Sequence, residues 1–308
     1  MASEQAQNHP PGPAGARLAG WTLRALMRAF SWLGPTGARF LSAPLGWLLW
    51  RVNPRRRHTT RCNLEIAFPE LSGAEREELA RQGNRHYVRN ILEGGVAWYW
   101  PEARLAARFD PPVGPEHLDA ARGAGRGVIL ALPHFGAWEI LGLHLGPEID
   151  GGILYKPGRN AALAALLLER RSRFGLAMLP ATATGLRALY AALRAGRTVG
   201  VLPDQEPSTG QGRFAPLFSR DALTAVLIPR LVQKTGARVV FAAAERTSRG
   251  RYRAHFLPAE AALYDPDIDT ALAALNRGVA ACVRIDPPQY LWAYKRWRHR
   301  PAGDPPVY

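Results

Sequence analysis

The chain has 308 residues, 47% of them hydrophobic, enough to bury a full core in one large domain or one domain with an appendage. Lys and Arg outnumber Asp and Glu by 40 to 25, and the formal charge of +15 calls for an acidic partner, whether phospholipid headgroups, nucleic acid or an acidic carrier protein. Only Cys62 and Cys282 occur, without metal-ligand spacing, which argues against a disulfide framework or a zinc site and fits a reducing cytoplasmic setting.

Met1 to Gly20 is rich in Pro, Gly, Ala and polar residues, has no apolar signal-peptide core, and reads as a disordered leader. Leu23, Leu26, Met27, Phe30 and Leu33 then fall at helical spacing, with Arg24 and Arg28 on another face, and Gly34-Pro35 ends that helix. Phe40 to Val52 carries Leu41, Leu45, Trp47, Leu48 and Trp50 before the basic cluster Arg51, Arg55, Arg56, Arg57 and His58. It is too short and interrupted for a span of about 20 apolar residues. Aromatics beside cations suggest that 21–58 lies in the interface of an anionic leaflet; the alternative is a pair of ordinary helices packing on the core. The remainder, 59–308, is expected to form one catalytic domain.

Ser72-Gly73-Ala74-Glu75 is a capping box that opens a long helix to about Trp100, closed by Pro101 and containing Glu93. Asp110 to Gly114 reads as a linker. Beyond it, apolar runs at Val128 to Leu132, Ile153 to Tyr155, Thr198 to Leu202 and Arg238 to Ala243 alternate with helical stretches at about 161–174, 184–195 and 222–235. That alternation predicts an α/β fold with a mostly parallel sheet flanked by helices. No internal repeat and no Gly-rich phosphate loop is present.

The chemistry is expected where the run Gly127 to Leu132 gives way to Pro133-His134-Phe135-Gly136-Ala137-Trp138-Glu139. An unbroken apolar strand buried on both faces ends there, at the edge where parallel sheets place ligands, and Ala137 to Leu145 reads as the next helix. Five helical steps turn the chain through roughly 500°, so His134 must precede the helix, with Glu139 reaching back to hold one ring nitrogen. The free nitrogen would then serve as a general base on a substrate hydroxyl; the bland alternative is a structural histidine. No Gly-x-Ser-x-Gly elbow accompanies it, so no covalent nucleophile is indicated.

Leu202-Pro203-Asp204-Gln205-Glu206 is a second strand exit ending in carboxylates. Asp204 suits orientation of a substrate, an arginine or the surroundings of the histidine, and equally a cap or turn acid. Tyr155-Lys156-Pro157-Gly158-Arg159-Asn160, with Arg170, Arg171 and Arg173 after it, favours a phosphorylated or acidic ligand. Tyr290 to Arg300 interleaves aromatics and cations, as a headgroup interface or a base-stacking surface would.

Taken in order, His134-Phe-Gly-Ala-Trp-Glu139, Asn63-Leu64, Phe68-Pro-Glu-Leu-Ser72, Tyr155-Lys-Pro with Asn160, Arg171-Ser-Arg-Phe-Gly175, Asp204-Gln205 and Tyr290-Leu-Trp292 with Arg296-Trp297 resemble the bacterial lipid A biosynthesis acyltransferases. These are the lauroyl and myristoyl transferases of the lysophospholipid acyltransferase superfamily, and the resemblance runs from about residue 20 to 300. It implies a glycerolphosphate-acyltransferase-like fold and an enzyme of the inner membrane, facing the cytoplasm. Such an enzyme moves a fatty acyl chain from acyl carrier protein, or a coenzyme A thioester, to a hydroxyl on a hydroxyacyl chain of a lipid A precursor, without metal or redox cofactor and without nucleic acid. The family's His-x4-Asp/Glu pair falls on His134 and Glu139 as the catalytic residues. Its substrate-binding positions fall on Arg171, Asp204, Gln205, Lys156, Asn160 and Glu93. After Asp204 the loop departs from the family pattern, with Ser219-Arg220 where glycine is commoner. Relatives of the same skeleton acylate other glycolipids or aminolipids.

Overall fold

The computed structural model describes residues 13–156, 161–247 and 250–308. It opens on α1 (Pro13–Val52), two helical segments joined at Gly34, whose φ of 60° lies in the left-handed region that glycine tolerates. The break falls at the expected Gly34-Pro35. The helix already starts at Pro13, inside the stretch expected to be a leader; the first twelve residues lie outside the described part. α2 (Pro54–Ala67) is capped by Asn53, whose Oδ1 accepts from the Arg56 N–H at 3.0 Å. α3 (Gly73–Tyr99) starts on the expected capping box, with Ser72 N–H donating to Glu75 Oε2 at 2.8 Å and Glu75 N–H to Ser72 Oγ at 3.3 Å.

α1 has two apolar faces, and one of them packs on the core as the second reading of 21–58 has it. Ala38, Ser42, Gly46 and Trp50 recur every four residues on the buried face. Small residues bring α1 and α3 close: a Cβ at Gly95 of α3 would lie 2.4 Å from the Met27 carbonyl oxygen. The other face leaves Trp21, Trp32, Phe40, Leu45, Trp47 and Leu48 in solvent, Trp32 80% exposed. Among the described residues no helix is long and apolar enough to cross a membrane.

After α4 (Glu102–Ala106) come β1 (Phe109–Val113), α5 (Pro115–Gly123), β2 (Val128–Ala131), α6 (Trp138–His144), β3 (Ile153–Tyr155), α7 (Ala161–Arg171), β4 (Met178–Pro180), α8 (Ala183–Arg194) and β5 (Thr198–Val201). β6 (Gly212–Leu217) and β7 (Arg220–Ala225) form a separate hairpin, followed by α9 (Leu227–Thr235), β8 (Arg238–Arg246), β9 (Tyr252–Pro258) and α10 (Ile268–Ile285). Two expectations fail here. The presumed linker at Asp110 is strand β1, held to β9 despite two prolines because it sits at the sheet edge, where missing donors are tolerated. The helix expected from 222 begins at Leu227; Ala222 to Ala225 alternate buried and half-buried with period two and pair with β6.

The central sheet has the order β1-β9-β8-β2-β5-β3-β4. β8, β2, β5, β3 and β4 run parallel, and β9 with β1 runs the other way at one edge. Alternate strand residues feed two cores. Ile129, Ala131, Val199, Val201 and Phe241 pack with α8, α9 and α10 on one face. Val128, Leu130, Val240 and Ala242 pack with α3, α5, α6 and α7 on the other. The aromatics of the last segment belong to the interior: Tyr290, Trp292 and Trp297 are all buried, and Arg296 donates to Leu223 O and Thr224 Oγ1. Neither a headgroup interface nor a stacking surface is formed by them.

Candidate active site

β2 and β5 are neighbours in exact parallel register, Val128 beside Thr198 and Ala131 beside Val201. Both strands leave the sheet through Leu-Pro, Leu132-Pro133 and Leu202-Pro203, so the same offset of seventy residues carries His134 to Asp204. Beyond that point the paths diverge, β2 into α6 on one face and β5 toward the hairpin and α9 on the other. Such a divergence opens a crevice at the carboxyl ends of parallel strands.

Asp204 holds the histidine by two contacts: its Oδ2 accepts the His134 backbone N–H at 2.8 Å, and its Oδ1 lies 2.8 Å from Nδ1. Burial alone would raise the Asp204 carboxyl, whose side chain is 1% exposed, but the neighbouring His134 charge and hydrogen bonds outweigh it and keep the group below its ordinary value. An ionised carboxylate only accepts, so Nδ1 is the nitrogen that donates to it, and in the neutral ring Nε2 is the one with the lone pair. Gln205 places its amide nitrogen 3.1 Å from Nε2, and Trp138 stands edge-on to the ring at 5.3 Å between centroids.

This corrects the expected pairing of His134 with Glu139. From the first turn of α6 the Glu139 carboxylate faces Arg171, taking its Nε at 3.1 Å and a second bond from Nη2. The helix turns Glu139 away from the strand exit, whereas Asp204 reaches His134 through the register of the sheet. The signal was present in the sequence, as two strands ending in the same Leu-Pro-polar exit; what was missing was their adjacency.

The loop is pinned from behind. Gly136, with φ of 55°, stands where a Cβ would lie 1.7 Å from the Ala244 carbonyl oxygen. Its N–H donates to Gln289 O at 3.0 Å, Phe135 N–H to Pro133 O at 2.7 Å, and Ala137 N–H to Ala244 O at 3.0 Å. The backbone amides of Phe135 and Gly136, candidates for holding an oxyanion, are thus already committed. Leu291 N–H donates to His134 O at 3.1 Å, and Gln289 clasps both backbone groups of Arg246. Burial, with the Asp204 charge beside it, keeps the Tyr290 phenol well above its ordinary value and protonated.

His134, 15% exposed, opens onto a cleft of about 680 Å³. Its walls include Leu132, Leu143, Ile153, Leu176, Met178 and Leu186, apolar side chains from both faces of the sheet, and its volume is in the range of small-molecule sites. Glu139, Arg171, Gln205 and Lys156 line the same cleft, Lys156 Nζ 3.2 Å from Ser208 Oγ. The two arginines that flank Arg171 serve the scaffold: Arg173 donates to carbonyls at the end of α3, Ala97 O and Trp100 O, and Arg170 to Trp98 O. Asn160 lies outside the described residues. Glu93 does not reach the cleft; it is 2% exposed and buried between Arg89 at 3.2 Å and Arg246 at 2.7 Å. Where the sequence departs from the family pattern, Ser219 ties the β6–β7 turn to α2 by donating its hydroxyl to Ile66 O at 2.7 Å. No group of His, Cys, Asp and Glu suited to a metal ion occurs among the described residues.

The family model for bacterial lipid A biosynthesis acyltransferases matches residues 15–299. The chain is 31% identical over 270 residues to the lipid A biosynthesis lauroyltransferase of Escherichia coli (strain K12), covering 87% of each. It is 29% identical to the palmitoleoyltransferase of that organism, again over 87% of each, and 26% identical to its myristoyltransferase, over 92% of this chain and 88% of the other. With the parallel sheet and its strand-end histidine, these similarities settle the family: the chain is an acyltransferase and belongs to the bacterial lipid A biosynthesis acyltransferases.

Proposed function

We propose that the enzyme transfers a fatty acyl chain from a carrier-protein thioester to a hydroxyl of a lipid A precursor, with His134 as general base held by Asp204. The observation that carries this reading is the His134 and Asp204 pair, with Nε2 turned to a cleft of apolar walls. Nε2 takes the proton of the acceptor hydroxyl as its oxygen bonds to the thioester carbonyl carbon. The carbon–sulfur bond then breaks and the imidazolium returns the proton to the departing thiolate, so the atoms balance without a cofactor. Asp204 steadies the charge that passes through the ring. Since the nearby loop amides are occupied, negative charge on the carbonyl oxygen or the ligand is met by cations of the cleft wall, among them Arg171 and Lys156.

The acyl chain suits the apolar walls, and the setting suits the outer face of α1. Its exposed tryptophans and leucines beside Arg51 and Arg55 have the make-up of a segment seated in an anionic leaflet, here the cytoplasmic face of the inner membrane. The test is direct: purified protein is mixed with an acyl carrier protein thioester and a lipid A precursor in anionic vesicles, and the products are weighed by mass spectrometry. One added acyl chain, lost in His134→Ala, is expected. Transfer to another hydroxylated or amino lipid, with none to the lipid A precursor, would reject this acceptor and keep the reaction type.

A further inference from the structure

We propose that α8 and α9 form a docking face for the acidic carrier protein that delivers the thioester, an inference that rests on the acyl-transfer reading above. The two helices carry Arg187, Arg194, Arg230 and Lys234 and not one Asp or Glu. All four cations are exposed. Several surface arginines elsewhere are answered by acids, as in Arg24 with Glu169, Arg122 with Glu148, Arg213 with Asp269 and Arg277 with Glu260. Among the described residues these four have no acidic partner. Arg187 meets only the Thr184 hydroxyl at 3.4 Å, and Lys234 lies over the Tyr190 ring at 5.6 Å.

The face leads into the site. Arg230 and Lys234 line the cleft together with Leu186 and Tyr190, and Lys156 stands on the same wall. A thioester arm tethered to a protein seated on α8 and α9 therefore enters the cleft beside these cations.

A lipid headgroup is the competing anion, and the distribution of apolar surface decides against it. A helix that rests on a bilayer needs apolar anchors as well as charge. The large exposed apolar side chains concentrate on α1, and none belongs to α8 or α9. α1 joins α7 through Arg24 and Glu169, on the opposite face of the sheet from α8 and α9. A charged surface without anchors suits a soluble acidic protein met by complementary charge.

The test measures kcat/KM for one fatty acid presented on acyl carrier protein and on free pantetheine, in the intact enzyme and in Arg187→Glu with Arg194→Glu, which stand outside the cleft. Charge reversal is expected to lower the value for the carrier-bound donor on the order of tenfold to a hundredfold, with a much smaller change for the pantetheine thioester. Arg187→Lys with Arg194→Lys keeps the charge and should retain the activity. Equal losses on both donors, a loss confined to the KM of the lipid acceptor, or no loss at all would overturn the docking face. If the unsubstituted protein consumes neither thioester, the acyl-transfer reading itself fails; calorimetric titration of the carrier protein into both proteins still decides whether this face binds it.

Discussion

Two buried charge clusters sit under the same sheet edge and do opposite work. One is His134 with Asp204 and Gln205; the other is Glu93 with Arg89, Arg246, Asn90, His86 and Tyr252, where α3 lies over the ends of β8 and β9. Both join an acid to a nitrogen base at hydrogen-bond distance, and in both the carboxylate is buried. The first leaves a ring nitrogen facing a cleft, while the second closes on itself: Glu93 is shared between two guanidinium groups, and burial with Arg246, Arg89 and Arg85 nearby depresses the His86 imidazole to about 2. A buried acid–base pair is therefore a reagent only where an approach to its lone pair is left open, and otherwise it is a joint.

The contrast can be broken most forcefully at His134. His134→Ala is expected to lower kcat by about 10² to 10⁴-fold with no loss of thermal stability, and near-normal turnover would remove the ring from the chemistry. Glu93→Ala should do the reverse, leaving two buried arginines unpaired and costing about 3 to 5 kcal/mol in denaturant unfolding, with little change in kcat of the folded enzyme. A large drop in kcat at unchanged stability would put Glu93 back among the functional groups.

Protonation gives a finer probe. The unfolded chain binds a proton at His86 near the ordinary value of 6.5, which the folded chain refuses down to about 2. Stability should therefore fall as pH drops below about 6.5, by roughly 1.4 kcal/mol per unit from this group. His86→Gln should flatten that slope between pH 6.5 and 5, as read from urea midpoints; an unchanged slope refutes the assignment. The smallest effect concerns Glu139. If it holds Arg171 and not His134, a double-mutant cycle of Glu139→Gln with Arg171→Met should show coupling of about 0.5 to 3 kcal/mol in kcat/KM, while Glu139→Gln with Asp204→Asn should be nearly additive.

How much of this was readable beforehand follows from what each signal depends on. β2, β3, β5 and the start of β8 announce themselves as apolar runs, and α3 as a capping box, because burial on two faces and local capping are written in consecutive residues. β1 and β7 escaped: the partner of β1 is distant in the chain and Asp110-Pro111-Pro112 looks like a break until an edge position accommodates it, while the short β7 runs within two residues into α9, so its apolar residues read as the start of that helix. His134 was recognisable from its strand, but its partner was misassigned, since Glu139 is near in sequence while Asp204 is near only once β5 lies against β2. The buried role of Trp292 and Trp297 was hidden for a similar reason. Aromatics among arginines look amphipathic in sequence, and only the folded chain shows the cations turned to carbonyls and the rings turned inward.

The hydrogen bond from Leu291 to the carbonyl of His134 has a consequence for biosynthesis. The segment that braces the reactive loop lies more than 150 residues beyond it, so the loop leaves the ribosome well before its support does. His134 therefore takes up its final setting only after Leu291 has emerged and the sheet has closed behind the loop.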